Sequence, residues 1–109
     1  MFELIESALQ AVWKFLKKVW VKVCSFVKNI LGFFKNPQRL QKLKEDQNLI
    51  AVAIKKNLND GNYQTINCLF NKEEGILENP KEDALVVTSE ELDPQLGQAF
   101  GNKDMIVLN

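Results

Sequence analysis

The apolar positions of the first thirty-five residues follow a 3,4,3,4 spacing: Phe2, Ile5, Leu9, Val12, Leu16, Val19, Val23, Phe26, Ile30 and Phe33. Side chains three and four residues apart share one face of a helix, so the pattern predicts a single amphipathic helix over about 2–34. A second column, Trp13, Trp20, Val27 and Phe34, widens the stripe to three positions in seven, broader than the seam of a bare two-stranded coil. Lys14, Lys17, Lys18, Lys28 and Lys35 project from the opposite face, with Lys22 at its flank.

Asn36-Pro37 is a restart signal, since Asn caps a helix N-terminus and Pro suits the first helical position. Leu40, Leu43, Ile50, Ile54 and Leu58 continue at helical spacing, which predicts a second helix over 37–59 with Gly61 beyond its end. Ile50, Val52 and Ile54 also alternate with Ala51 and Ala53, so a strand at 49–56 stands beside the helix as a rival reading.

Beyond Gly61 the period falls to two. Tyr63 to Phe70 reads as a strand, 71–75 as a hairpin loop, Ile76-Leu77 as its short partner and Ala84 to Thr88 as a further strand. Thr88 and Glu91 have capping-box spacing and Asp93-Pro94 offers a second start, giving a short helix over 90–100 that stops at Gly101. Met105 to Leu108 closes the chain as a strand, and strand, helix and strand in this order permit a right-handed crossover. The expected fold class is α+β in the order ααβββαβ. Residues 1–35 form a basic amphipathic helix and 36–109 a small domain.

A helix over 2–34 would be about 50 Å long, whereas a compact remainder has a radius of gyration of about 11 Å. The stripe therefore has three destinations: helices of another protomer or partner, a membrane interface, or the chain's own domain. The positions flanking the seam carry no Glu–Lys code for a zipper. Trp13 and Trp20 with lysines opposite suit an anionic lipid surface, while a broad stripe rich in Phe and Val suits a helical bundle. Docking would rest on Phe2, Ile5, Leu9, Val12, Trp13, Leu16, Val19, Trp20, Val23, Phe26, Val27, Ile30 and Phe33. Lys14, Lys17, Lys18, Lys28 and Lys35 would tune it.

Charge changes this picture. The chain has 14 basic and 14 acidic residues and no net charge. That zero divides into eleven bases against four acids over 1–59 and three against ten over 60–109. Such polarity points to a basic binding surface with an acidic counterpart, or to two solvated faces. Among the first half's bases only Arg39 is an arginine, and no aromatic stacking pattern shares the lysine face, which argues against nucleic acid. The longest charge-free stretch in the N-terminal region, 7–13, is far short of the ~20 residues needed to span a bilayer.

Candidate chemistry is sparse. The chain has no histidine, so the commonest general base and zinc ligand are absent. Cys24 and Cys68 have neither metal nor redox spacing, and the acidic start lacks the basic region of a secretory signal, so both read as buried thiols of a cytoplasmic chain. The pairs Glu73/Glu74, Glu82/Asp83 and Glu90/Glu91 are adjacent in sequence, and neighbouring side chains diverge on helix and strand alike, so none is a convergent dyad. No catalytic, cofactor-binding or metal site is expected.

The segments Asn36-Pro37-Gln38-Arg39-Leu40, Asn57-Leu58-Asn59-Asp60-Gly61-Asn62-Tyr63, Asn67-Cys68-Leu69-Phe70 and Phe100-Gly101-Asn102-Lys103-Asp104-Met105 resemble a family of small conserved cyanobacterial proteins without assigned biochemical activity. The resemblance covers about 36–109 and rests on overall texture. It implies an intracellular, non-enzymatic homo-oligomer connected with regulation of surface behaviour such as biofilm formation. The expected function is that of an interaction protein that self-associates or docks on a partner through its N-terminal helix. The alternative is a peripheral membrane tether using the same helix.

Overall fold

In the computed structural model, which describes residues 2–108, the chain is α+β: one mixed sheet with helices on both faces. Helix α1 (Phe2–Val12) follows the predicted spacing and buries Ile5 and Leu9. The chain then departs from the long helix. A 3₁₀ turn (Trp13–Phe15) leads to Leu16 in extended conformation, and Lys17–Cys24 forms strand β1. Val19, Val21 and Val23 are branched at Cβ and alternate with Trp20 and Lys22, a period that suits a pleated strand better than a helix. The longest extent of the molecule is 36 Å, shorter than the helix expected from the heptad pattern.

After β1 the chain turns helical again. Ser25 accepts from Lys28 N at 3.1 Å and caps a π-helical turn (Phe26–Leu31), which runs into α2 (Gly32–Phe34). Helix α3 (Pro37–Glu45) begins where expected, with Asn36 Oδ1 accepting from Gln38 N at 2.9 Å and Arg39 N at 3.3 Å. It stops well before residue 59. Strand β2 (Leu49–Asn57) takes the rest, as in the rival reading, because Ile50, Val52 and Ile54 fill one face of the sheet while Ala51 and Ala53 face the other. Gly61, at φ +88°, turns the hairpin into β3 (Tyr63–Asn71) instead of ending a helix.

Strand β4 (Ile76–Leu77) pairs with the end of β3 across the expected loop, in which Asn71 Oδ1 accepts from Glu73 N and Glu74 N. Strand β5 (Ala84–Leu92) runs through the Thr88/Glu91 capping signal, and the helix start passes to Asp93, whose Oδ1 accepts from Leu96 N at 2.8 Å at the head of α4 (Pro94–Phe100). Strand β6 (Met105–Val107) pairs antiparallel with β2, so the β5–α4–β6 connection is not the parallel crossover that was expected.

The strand order is β1-β5-β3-β2-β6, with β4 beside β3, and β1–β5 is the parallel pair among antiparallel neighbours. One face carries Ile50, Val52, Ile54, Ile66, Cys68, Phe70 and Val86 under Ile5, Leu9 and Leu16. The other carries Ala51, Ala53, Leu69 and Val87 under Ile30, Phe34, Leu96 and Phe100. The N-terminal stripe is thus divided between both layers of its own domain. At about 1.5–3 kcal/mol per fully buried large side chain, this internal burial draws Ile5, Leu9, Leu16 and Ile30 away from any outside partner.

Candidate functional site

The open edge of the sheet at β1 gathers what the interior leaves over. β1 pairs with β5 from Lys17↔Leu85 to Cys24↔Leu92, and no described element pairs with its outer side. On that side its backbone N–H and C=O groups have no ladder partner among the described elements, the arrangement that templates addition of another strand. Val19 and Val21 pack inward on the α4 side of the sheet. Alternation then places Lys18, Trp20 and Lys22 on the α1 side, where Lys18 Nζ lies 4.8 Å from the Trp13 ring centroid and donates to Trp13 O at 3.0 Å.

Trp20 stands 55% exposed in the middle of this edge, with Val23 and Val27 exposed beyond it and Phe15 before it. Lys14 and Lys81 approach the Phe15 ring at 5.1 and 5.6 Å. From residue 7 to residue 44 the chain carries no acid, so the basic character of the edge is not neutralised along its own segment. Only towards the far end does β5 bring carboxylates alongside, with Glu91 in register with Val23 and Glu90 one residue earlier, beside Lys22.

A cross-strand row continues inward from Trp20. Trp20 is in register with Thr88, Thr88 with Gln64 and Gln64 with Lys56. The inner end of this row, Gln64 and Lys56, opens into a groove of about 490 Å³ lined also by Glu6, Leu9, Gln10, Trp13 and Leu58. Leu9, Trp13 and Leu58 give the groove its apolar lining, with the Glu6 carboxylate and the Lys56 ammonium beside them.

A second cavity of about 500 Å³, bordered by Lys17, Phe33, Arg39 and Asp83, is occupied with structural work. Buried Asp83 receives Lys42 Nζ and has Arg39 Nε 3.3 Å from Oδ1. The Arg39 guanidinium also stacks 3.8 Å from the Phe33 ring centroid, donates from Nη1 to Phe33 O at 3.0 Å and from Nη2 to Glu82 O. These bonds fasten α3 and α2 to the loop before β5.

The residues expected to form a docking face are dispersed. Ile5, Leu9, Leu16 and Ile30 are buried; Phe2, Val12 and Trp13 pack partly on the α1 side, and Val19, Phe26 and Phe33 on the other; Trp20, Val23 and Val27 are exposed. Lys14, Lys17, Lys18, Lys28 and Lys35 are exposed, although they do not form one helical face. The sequence reading missed Phe15 and the place of Lys22 on the edge. The alternation Val19, Val21, Val23 was the available signal, because Val21 lies off the heptad template.

Both thiols are buried. Burial pushes the Cys68 thiol from 9.0 up to about 12. Cys24 is also raised, by burial first and by the nearby Asp93 charge, against the lowering effect of a 3.6 Å contact with Thr65 Oγ1. Neither is poised as a thiolate at neutral pH. Among the described residues no group of three or more His, Cys, Asp or Glu could hold a metal ion, and no helix is long and apolar enough to cross a membrane. Compared with family models, curated proteins and solved structures, the chain matches none.

Proposed function

We propose that this protein is a non-catalytic interaction module whose working surface is the open edge of β1, which takes up an extended strand from another polypeptide. One observation carries the reading: an eight-residue strand, held on one side only, with Trp20 more than half exposed at its centre. Lysines alone on an edge serve to deter unwanted pairing. A large exposed indole among them adds contact area that deterrence does not need, and Trp is enriched among residues that dominate interface energetics. The expected role of the N-terminal segment in self-association or partner docking is thereby moved from a helix face to a strand edge.

Hydrogen exchange tests the proposal. Short extended peptides and concentrated protein alone are each offered to the native chain. Any ligand captured should slow exchange at amides of Lys17–Cys24 and bind more weakly to Trp20→Lys. Protection confined to other elements overturns the reading.

A second reading, peripheral tethering of a cytoplasmic protein to an anionic membrane, is favoured by Phe15 and Trp20 standing exposed beside Lys14, Lys18 and Lys22. It requires co-sedimentation with anionic vesicles that weakens as salt rises.

A further inference from the structure

We propose that the strand taken up at β1 comes from a different protein and is acidic, with carboxylates at positions i and i+4 around an apolar residue at i+2. This inference rests on the reading of β1 as a docking edge and adds the chemistry of its occupant. On the α1 side of the edge the order is Lys18, Trp20, Lys22, a cation, an indole and a cation at successive same-face positions. Residues directly opposite in a strand pair lie about 4.5–5.5 Å apart and share a face, whether the added strand runs parallel or antiparallel. A complementary strand therefore places an acid opposite each of Lys18 and Lys22 and an apolar side chain over Trp20. Its intervening positions i+1 and i+3 fall opposite Val19 and Val21 and are apolar. Lys17 extends the same preference by one further acid on the other face. On β5 the exposed Glu90, which falls beside Lys22 between the Val21↔Ser89 and Val23↔Glu91 pairs, and Glu91 itself end the basic strip, so Lys18 is the cation of the row with no acid alongside on β5.

A second copy of β1 does not meet this requirement. The strand contains three lysines and no carboxylate, so no register of β1 on β1 brings an acid to the edge. An antiparallel pair centred on Trp20 sets each Lys18 against Lys22 of the other copy, and like charges directly opposite are destabilising.

The test uses the full chain and a short labelled peptide whose centre reads Glu-Val-Leu-Val-Glu, followed by fluorescence anisotropy at low and high salt. Binding should weaken as salt rises, fall about tenfold or more in the Lys18→Glu/Lys22→Glu variant, and recover in that variant with the peptide Lys-Val-Leu-Val-Lys. Both substitutions are on exposed side chains, and circular dichroism verifies that the variant keeps its fold. Equal binding of a peptide with its two acids adjacent, or failure of the charge-swapped pair to recover, overturns the proposed spacing and chemistry. Self-association that protects Lys17–Cys24 and leaves no peptide binding overturns the acidic partner while the β1 docking reading stands. Capture by anionic vesicles, with neither peptide nor second copy engaging the edge, overturns both.

Discussion

Strands β1 and β2 are of similar length and both alternate apolar side chains, yet they occupy opposite situations. β2 lies between β3 and β6 with Ile50, Val52 and Ile54 under α1 and Ala51 and Ala53 on the far face. β1 has one neighbour, two half-buried valines and an exposed tryptophan. The difference is set by what is interleaved. Alanine between large apolar residues lets a strand be covered on both faces, whereas lysine keeps one face and one edge in water. Stability and recognition are therefore assigned to different strands of the same sheet.

The sharpest way to break this contrast is to place the same charge in both strands. Val52→Lys, which sets an ammonium at a fully buried position, should cost about 4 kcal/mol or more and abolish cooperative unfolding. Trp20→Lys should stay within about 1 kcal/mol of the native chain in urea titrations. Equal losses at the two positions would mean that the edge is covered in solution.

The thiols sharpen it next. Cys68 faces Val52 across the β2–β3 pair, and its value in the fold is raised above that of the unfolded chain. Its contribution is intact below about pH 9. It is lost as pH climbs towards about 12, because the unfolded chain gives up the proton first. The loss is about 1.4 kcal/mol for each pH unit. Native and Cys68→Val chains compared by denaturant titration across this window should diverge with that slope.

A smaller effect is expected where β5 is anchored beside β1. Asp83→Ala leaves Arg39 and Lys42 without their shared carboxylate and should lower stability by about 2 kcal/mol, the partial exposure of Lys42 moderating the loss. The smallest concerns Ser89, in register with Val21 on β1 and Tyr63 on β3, whose buried hydroxyl has no hydrogen-bond partner. Ser89→Ala removes an unsatisfied group and should leave the melting temperature unchanged or raise stability by up to about 1 kcal/mol.

Features written in local chemistry were legible. Asn36-Pro37 and Asp93-Pro94 cap their helices through bonds to backbone groups two or three residues away, and the 71–75 loop closes on Asn71. The fate of 16–33 was not legible in the same way. Val19 and Val23 satisfy helical spacing as well as Phe26 and Ile30 do, yet only the latter stay helical; over Lys17–Cys24 pairing with β5, at the other end of the chain, overrides the spacing. The candidate site follows that division. Trp20 and Lys18 were singled out from sequence and Lys22 was placed only at the flank of the basic face; their arrangement as a strand edge depends on a partner distant in sequence. For β2 the same ambiguity was resolved by neighbours on both sides.

The parallel pairing of β1 with β5 also bears on how the chain assembles. The β2–β3 hairpin closes a short turn between Leu58 and Asn62, so its contacts form at little loop-closure cost. β1 meets β5 only after most of the chain has been drawn together, and such non-local contacts slow folding. A folding order in which β1 attaches last leaves β5 briefly as the edge of the sheet, its outer backbone groups unpaired during refolding.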